Sequence, residues 1–273
     1  MHAWVDGELL ADPGAAAIRI TDHGFTVGDG VFEAVKVVDG NPFALDLHLS
    51  RLERSARGLG LEPPALDVVR QGVAAVLAPA HLALGRLRIT LTAGPAPLGS
   101  GRGTHRPTLV VVAVAMDATA DTTSIVTVPW PRNERSAIAG LKTTSYAENV
   151  VALAHAREDG ASEAIFANTA GHLCEGTGSN VFYVVGGELR TPTLASGCLA
   201  GVTRALVLDW CGGREVDEPI RVAEHADEVF LVSTTRDVQA VTRWGAREIA
   251  VGPITQHAAA TWAEREPELL SAL

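Results

Sequence analysis

The chain has 273 residues, a formal net charge of −10 and a pI near 5.3, and 47% of its residues are hydrophobic. This composition is typical of a globular protein with a substantial core and argues against a disordered chain. Because nucleic-acid binding draws on clustered lysine and arginine, the acidic balance favours a small-molecule partner over a nucleic acid.

The cysteines and the start of the chain bear on its compartment. Cys174, Cys198 and Cys211 show no C-x-x-C spacing, so neither a disulfide framework nor a zinc site is predicted. The first residues lack a charged segment followed by an apolar one, and no apolar run is long enough to span a bilayer. We therefore expect a cytoplasmic protein that binds neither a membrane nor a metal.

Strand-like and helix-like segments alternate in the first part of the chain. Apolar runs rich in β-branched residues predict three strands, at residues 31–38, 87–92 and 108–115. Leucine and alanine at three- and four-residue spacing predict two helices, at residues 45–61 and 67–77. Pro63 and Pro64 should end the first helix, and a turn at residues 39–42 should make the first strand enter a hairpin.

A short polar stretch at residues 117–123 interrupts this pattern and is predicted to link two domains. Beyond it, apolar runs predict strands at residues 124–128, 163–168, 180–185 and 228–232. Helices are predicted at residues 146–159, at residues 203–211 and near the C-terminus. We therefore expect two domains of the α+β or α/β class, a smaller one over residues 1–116 and a larger one over residues 124–273.

Lys36 and Lys142 are the only lysines among 22 basic residues, so they are the only side chains that offer a primary amine. Lys142 ends an apolar stretch just before a predicted helix, where burial can make an amine nucleophilic. Lys36 alternates with valines on a predicted strand, which indicates an outward-facing position. Residues 140–143 do not form a nucleotide-binding P-loop, because that motif places glycine directly before its lysine. The reactive amine is therefore predicted to be Lys142.

Several other polar residues could hold a ligand. Glu175 precedes a turn rich in glycine that could aim its carboxylate, although a structural or solvated glutamate fits the same local sequence. Val202 and Thr203 begin a predicted helix, whose free N–H groups and hydroxyl suit a phosphate; an ordinary helix cap is the alternative. Three more candidates lie on the first helix or at a strand end, namely Arg51, Thr234 and Thr235.

Six ordered motifs together resemble the class IV, or fold type IV, aminotransferases, which include D-amino acid transaminases, branched-chain aminotransferases and 4-amino-4-deoxychorismate lyases. The motifs are VGDGVFE at 27–33, HLSRL at 48–52, GLK at 140–142, EGTGSN at 175–180, GVTR at 201–204 and STT at 233–235. Each is weak alone, but together they follow the family's order, and the resemblance runs from residue 22 to about residue 241. The resemblance implies the D-amino acid aminotransferase-like fold, pyridoxal phosphate as cofactor and a homodimer.

The resemblance also implies a role for each candidate residue. Lys142 would hold pyridoxal phosphate as a Schiff base and move the substrate proton. Glu175 would pair with the pyridine nitrogen, and Tyr146 would contact the phenolic oxygen. The phosphate would be bound by a guanidinium, a helix N-terminus and a hydroxyl, supplied by Arg51, Val202, Thr203 and Thr234.

The motif at residues 31–37, with Phe32 and Glu33, resembles the D-amino acid transaminases, whereas the lyases tend to carry threonine at position 33. We therefore expect a transaminase that exchanges an amino group between a D-amino acid, such as D-alanine or D-glutamate, and a 2-oxo acid. The lyase, which forms 4-aminobenzoate and pyruvate, is the alternative. A branched-chain L-amino acid aminotransferase is less favoured, and a non-enzymatic carrier of vitamin B6 would predict that the lysine is missing.

The substrate carboxylate needs a cationic partner. This chain has no cation at the position where the D-specific enzymes have one. They have an arginine at the strand end, whereas this chain has Ala93. Arg88, on the same strand, and Arg102, in the following loop, are the two substitutes, although a surface ion pair and a mobile loop charge are equally open for them. Phe32 and Thr235 are further candidates for substrate contact.

Overall fold

The structure is a computed structural model that describes residues 1–104 and 106–271 and divides into two compact units. Unit 1 contains Met1–Ala118, Leu141–Tyr146 and the C-terminal residues from Glu268, and unit 2 contains Thr119–Gly140 and Ala147–Pro267. The predicted domains differ from these units, because Lys142 was assigned to the larger domain and belongs to unit 1. The last two residues of the predicted linker, 122 and 123, already lie in a strand.

Unit 1 has one six-stranded sheet and three helices. Its strands are β1 (His2–Val5), β2 (Glu8–Leu9), β3 (Gly30–Val38), β4 (Asn41–Pro42), β5 (Leu84–Thr92) and β6 (Thr108–Ala115). Its helices are α1 (His23–Thr26), α2 (Leu45–Gly58) and α3 (Leu66–Leu77). The sheet has the order β2-β1-β6-β5-β3-β4, with every neighbouring pair antiparallel. The predicted strands and helices of this region are therefore confirmed, with small changes at their ends.

The core of unit 1 lies between the sheet and α2 and α3. Apolar residues at three- and four-residue spacing give α2 a buried stripe of Leu45, Leu49, Leu52 and Ala56, each fully buried. The helix ends at Gly58, three residues before its predicted end. Gly60 adopts a φ of +74° and reverses the chain before the prolines are reached.

Lys36 is only 6% exposed, so the prediction that it faces outward is wrong. On β3 its neighbours Val35 and Val37 are fully buried as well. Both faces of this strand are therefore largely covered, and alternation with valine does not place the lysine in solvent.

Unit 2 has a nine-stranded mixed sheet and four helices. Its strands are β7 (Thr122–Thr127), β8 (Glu163–Ala167), β9 (Leu173–Gly176), β10 (Asn180–Val185), β11 (Glu188–Pro192), β12 (Arg214–Val216), β13 (Glu228–Ser233), β14 (Asp237–Trp244) and β15 (Arg247–Glu248). Its helices are α4 (Ala147–Glu158), α5 (Val202–Cys211), α6 (Ile220–Glu224) and α7 (Pro253–Arg265). Short 3₁₀ turns occur at Leu194–Ser196 and Glu266–Leu269.

The main path of the unit 2 sheet runs β12-β11-β10-β13-β14-β7-β8-β9, and β15 pairs with β14. The parallel pairs β7–β8 and β14–β7 hold the middle of the sheet, and α4 connects β7 to β8 as a crossover helix. The sequence predicted β7, β8, β10 and β13, but it missed the long strand β14 and placed Glu175 in a turn, whereas it lies on β9. Among the described residues, no helix is both long and apolar enough to cross a bilayer.

Candidate active site

The candidate residues fall into two groups, one in each unit. In unit 1, the chain from Leu141 to Tyr146, here called the lysine segment, lies along the start of β3. The Phe32 N–H donates to the Lys142 carbonyl (2.9 Å) and the Thr144 N–H donates to the Gly30 carbonyl (2.8 Å). These bonds fix the backbone of Lys142 against the motif that begins at Val27.

Two other supports hold the lysine segment. The hydroxyls of Thr144 and Ser145 both donate to the Gly28 carbonyl, at 2.8 and 3.0 Å. Gly28 has a φ of +69°, which favours glycine at this position. On the other side, the Lys142 N–H donates to the hydroxyl of Ser55 on α2 (3.3 Å). The motif at residues 27–33 therefore binds the lysine segment through its backbone and holds it in place.

Four of the predicted residues meet around the ring of Phe32. The Lys142 ammonium lies 4.5 Å from the ring centroid and the Arg88 guanidinium lies 3.9 Å from it. The Tyr146 ring packs edge-on against the same ring at 5.3 Å. Cations bind the negative face of an aromatic ring, so Phe32 brings the candidate amine and one candidate carboxylate-binding group together.

Arg88 and Arg86 project from the same face of β5, two residues apart. Arg88 Nε donates to the Thr90 hydroxyl (3.2 Å), and Arg86 contacts the sulfur of Met116 (3.7 Å). Burial lowers the pKa of Arg88, and the neighbouring charge of Arg86 lowers it further. In the described part of the chain neither guanidinium has a carboxylate partner, so both are available to an anion.

Arg51 lies in a buried ionic network rather than on an exposed helix face. Its Nε and one terminal nitrogen donate to the two carboxylate oxygens of Glu33, at 2.8 and 2.6 Å, and His48 Nδ1 lies 2.8 Å from the same carboxylate. Burial alone would raise the pKa of Glu33, but Arg51 and His48 together hold it at about 2. Burial lowers the pKa of His48, so this imidazole is neutral at pH 7.

Arg102 is held by other residues of unit 1. Its Nε and Nη2 bind both oxygens of Asp29 at 2.7 Å each. Its nitrogens also donate to the carbonyls of Leu59 (2.8 Å) and Gly60 (2.9 Å). The hydrogen bond to Asp29 raises the pKa of Arg102. Of the two arginines considered for the substrate carboxylate, the one beside Phe32 is therefore Arg88.

In unit 2, Glu175 is fixed by one amide and faces one guanidinium. The Leu199 N–H donates to Glu175 Oε2 (2.9 Å), and Arg132 Nε lies 3.6 Å from Oε1. Arg132 stacks on the Phe166 ring at 4.1 Å and donates to Asn149 (3.0 Å). The Glu175 carboxylate is 15% exposed, so it has a defined direction and remains accessible.

The turn that follows Glu175 wraps around a second, buried carboxylate. Glu163 accepts hydrogen bonds from the Thr177 N–H (3.0 Å), from the Thr177 hydroxyl and from the Ser179 hydroxyl (3.1 Å). A Cβ on Gly176 would lie 2.5 Å from the Ser179 oxygen, so this close approach requires glycine. No local pattern marks Glu163, because an acidic residue at the start of a strand is ordinary.

In the described residues, the N-terminus of α5 has backbone and side-chain donors without protein partners. Its N-cap, Gly201, has no side-chain cap, so the first N–H groups, those of Val202 and Thr203, have no intrahelical acceptor. The Thr203 hydroxyl is buried and, among the described residues, has no hydrogen-bond partner. Gly201 also packs closely on Asn180, whose oxygen would lie 2.1 Å from an added Cβ. Donors of this kind at a helix N-terminus suit an anion.

The last predicted residues follow β13. Thr234 is 9% exposed, and the Thr235 carbonyl accepts a hydrogen bond from the Thr119 hydroxyl (2.7 Å). The strand before them ends at Ser233, so these hydroxyls lie at a strand end as predicted. The predicted residues Glu175, Val202, Thr203, Thr234 and Thr235 thus all belong to unit 2.

Comparisons with known proteins agree on one family. The model of the amino-transferase class IV family matches residues 30–244. A putative branched-chain-amino-acid aminotransferase of Methanocaldococcus jannaschii is 31% identical over 94% of this chain and 93% of its own length. A bifunctional aminodeoxychorismate lyase / D-amino acid transaminase of Mycobacterium tuberculosis is 29% identical over 94% and 95%. The PLP-bound structure of a hypothetical aminotransferase from Mycobacterium tuberculosis, 27% identical, covers 98% of this chain and 99% of that one with a TM-score of 0.86.

Proposed function

The chain belongs to the class IV aminotransferases, and we propose that it transfers an amino group between a D-amino acid and a 2-oxo acid. The resemblance drawn from the six motifs and the expected fold type IV architecture are confirmed. Enzymes of this class depend on pyridoxal phosphate, which confirms the expected cofactor. The amino donor and the role of each residue form the proposal.

The N-terminus of α5 fits the cofactor's phosphate. Thr203 buries a hydroxyl that has no protein partner among the described residues, which would be costly unless a ligand accepts its hydrogen bond. Val202 and Thr203 add backbone N–H donors, and the helix dipole favours an anion there. We assign Val202, Thr203 and Thr234 to phosphate binding in unit 2. Arg51, held in place by Glu33, is the proposed cationic contact from unit 1.

Three residues are proposed to act on the rest of the cofactor. Lys142 supplies the amine that holds it covalently and afterwards carries the substrate proton. Glu175 pairs with its ring nitrogen, keeping that nitrogen protonated. Tyr146 contacts its phenolic oxygen. When bound, pyridoxal phosphate supplies an electron sink for the pair of electrons left by the proton that Lys142 removes.

The observation that carries the proposal is the placement of Lys142 and Arg88 on one aromatic ring, Phe32. A transaminase must hold the substrate carboxylate while the lysine works on the neighbouring carbon, and a guanidinium binds a carboxylate through two parallel hydrogen bonds. We propose Arg88 for that carboxylate and Phe32 and Thr235 as further substrate contacts. The D-amino acid assignment draws on the motif at residues 31–37 and on the relative named as a D-amino acid transaminase.

Arg88→Ala tests the carboxylate assignment. We expect KM for the amino donor to rise by about tenfold or more, as for the loss of a charged hydrogen bond, while cofactor content stays normal. Arg57→Ala is the matched control, since Arg57 is 65% exposed and pairs with Glu53 on its own helix. An unchanged KM in Arg88→Ala would contradict the assignment.

A second candidate function, the aminodeoxychorismate lyase, is favoured by the two guanidiniums on β5. Arg86 and Arg88 lie side by side without a carboxylate partner in the described residues, and aminodeoxychorismate carries two carboxylates. Arg86→Ala should therefore reduce 4-aminobenzoate formation and leave the reaction of a monocarboxylate donor within about twofold. Equal losses in both reactions would remove this support for the lyase.

The deciding experiment is a panel of single half-reactions with the cofactor-loaded protein. D-alanine and D-glutamate should convert the cofactor to its amine form, which changes its absorption, whereas L-leucine should not. Conversion by L-leucine alone would assign the chain to branched-chain amino acids instead. Conversion by no amino acid, together with release of 4-aminobenzoate from aminodeoxychorismate, would assign it to the lyase.

A homodimer and a cytoplasmic location complete the proposal. Ile20, Phe25 and Leu98 of unit 1 are 82%, 75% and 81% exposed, and apolar groups so exposed commonly mark a protein interface. Sedimentation of the full chain should give a mass near 57 kDa for a dimer, twice the 28.5 kDa of one chain. All three cysteines are unpaired, as is usual in a reducing compartment.

A further inference from the structure

Arg102 connects the two supports of the lysine segment. One support is the turn that contains Gly28, Asp29 and Gly30, whose carbonyls at Gly28 and Gly30 accept hydrogen bonds from the lysine segment. Arg102 binds this turn through a bidentate ion pair with Asp29, in which both N···O distances are 2.7 Å. Paired, parallel hydrogen bonds of this kind fix direction as well as distance.

The second support is the C-terminal end of α2. The Ser55 hydroxyl accepts from the Lys142 N–H (3.3 Å), and Gly58 lies so close to Leu141 that an added Cβ would be 2.6 Å from the leucine side chain. Arg102 binds the two residues that directly follow this helix, because its nitrogens donate to the carbonyls of Leu59 and Gly60. One guanidinium therefore joins both supports.

The electrostatics favour this arrangement. Asp29 is only 12% exposed, so its carboxylate needs a partner, and Arg102 is 39% exposed, so its ion pair remains partly solvated. The carbonyls at a helix C-terminus carry partial negative charge and attract a cation. Asp29 is tied further into the turn, since its N–H donates to the His23 carbonyl (3.1 Å) and its carbonyl accepts from the Ala93 N–H (3.0 Å).

We infer that Arg102 is a positioning residue for Lys142 and does not bind the substrate. It holds the turn at Asp29 and the end of α2 at a fixed separation, and the lysine segment lies against both. The inference rests on the proposed role of Lys142. It differs from the sequence-based alternatives for Arg102, a substrate clamp and a mobile loop charge.

The test follows hydrogen exchange of the backbone in the full chain, with and without pyridoxal phosphate and without any substrate. Arg102→Met should speed exchange of the Thr144 and Phe32 amides, which donate the hydrogen bonds between the lysine segment and the start of β3, by about tenfold or more. Amides in the middle of β5, such as that of Leu87, should keep their rates. A loss of general stability would speed all of them together, and this outcome, like unchanged exchange at Thr144, would overturn the inference.

Two further variants keep the test decisive if Arg102→Met folds poorly. Asp29→Asn retains the side-chain shape but removes the charge and one acceptor of the ion pair, so it should also speed exchange at Thr144. Arg102→Lys keeps a cation that can reach Asp29 but cannot span two carbonyls as well, so its exchange should fall between those of the wild type and Arg102→Met. Arg57→Met, on the exposed face of α2, should match the wild type.

Kinetics separate positioning from substrate binding. Arg102→Met should lower kcat by about tenfold or more and leave KM for the amino donor within about twofold, because the amine is displaced while the carboxylate contact is intact. A KM rise at unchanged kcat, with exchange unaltered, would make Arg102 a substrate clamp and overturn the inference. Because exchange is measured without substrate, a failure of the D-amino acid proposal leaves that result unchanged.

Discussion

The two units hold their candidate groups in place by different interactions, mainly ion pairs in unit 1 and mainly neutral hydrogen-bond donors in unit 2. In unit 1, the buried carboxylate of Glu33 is bound by a guanidinium and an imidazole, and a second ion pair joins Arg102 to Asp29. In unit 2, the buried carboxylate of Glu163 is bound by the amide and hydroxyls of the turn at residues 177–179, with Arg236 at 3.4 Å. The anion site proposed at the start of α5 likewise consists of N–H groups and a hydroxyl.

This difference predicts different sensitivities. Groups held by ion pairs depend on pH and on each partner's charge, and removing one partner leaves the other buried and uncompensated. Groups held by neutral donors depend on close backbone approach and on the presence of single hydroxyls. Unit 1 should therefore respond most to charge changes and unit 2 to small changes of shape or hydroxyl content.

The largest effect should follow removal of the charged amine itself. Lys142→Ala removes the proposed covalent attachment and the proposed proton-transfer group, so turnover should fall by about a thousandfold or more. Lys36→Met is the matched control, because it removes the only other lysine and should keep at least about a tenth of the activity. Steady-state kinetics on both variants make the comparison, and comparable losses in the two would contradict a special role for Lys142.

Glu33→Gln should destabilise the protein by about 3 kcal/mol or more, because it leaves Arg51 buried without a counter-charge. Glu163→Gln should cost less, since its partners are mainly neutral and a neutral acceptor oxygen remains. Denaturant unfolding of both variants measures the difference. If Glu163→Gln proves the more costly, the contrast between the two units is wrong.

Acid unfolding tests the same ion pair. Folding lowers the pKa of Glu33 from 4.5 to about 2, so its stabilising contribution is complete above about pH 4.5 and is lost as the pH falls toward 2. The free energy of unfolding of the wild type should therefore drop across this window, and Glu33→Gln should show a smaller drop. Parallel curves for the two proteins would show that Glu33 does not carry this pH dependence.

Thr203→Val should weaken cofactor binding by roughly tenfold to a hundredfold, the effect of one hydrogen bond to a charged phosphate. Without cofactor the variant should be at least as stable as the wild type, because the buried hydroxyl has no protein partner among the described residues. Thr255→Val is a close control, since Thr255 in unit 2 also buries an unpartnered hydroxyl. Titration with pyridoxal phosphate should leave the Thr255 variant unchanged; equal weakening would contradict the phosphate assignment.

The smallest effect concerns His48. Burial lowers its pKa, so below its ordinary value of 6.5 the unfolded chain takes up a proton that the folded chain resists, and stability falls as the pH drops. His48→Gln keeps a hydrogen-bonding side chain without that titration, so its stability should vary less between pH 7 and pH 5, by about 1 kcal/mol. Unfolding curves at a series of pH values measure the slope.

Local patterns in the sequence predicted most helices and strands, because the spacing of apolar residues indicates which face of an element is buried. The stripe on α2 and the β-branched runs of β3 and β6 are examples. Motif order predicted the family and made Lys142 and Phe32 candidate site residues, whereas their contact was found only in the structure. The sequence did not reveal that Lys36 is buried, since burial of both faces of β3 depends on distant segments.

Local sequence patterns could not predict the ion pairs either. Glu33 and Arg51 are 18 residues apart, and Asp29 and Arg102 are 73 apart, so only the fold brings each pair together. Glu163, which supports the turn after Glu175, carried no motif at all. Charged residues that pair across a long stretch of sequence show no periodic pattern, whereas the apolar residues on a buried helix face do.

The identity of the reactive amine is the central claim, and peptide mapping after borohydride reduction tests it most directly. Reduction fixes bound pyridoxal phosphate to the lysine that holds it, and the added mass can then be located on one peptide. The account predicts the modification on the peptide that contains Lys142, none on the peptide that contains Lys36, and none anywhere in Lys142→Ala. Modification of Lys36, or a reducible attachment that persists in Lys142→Ala, would contradict it.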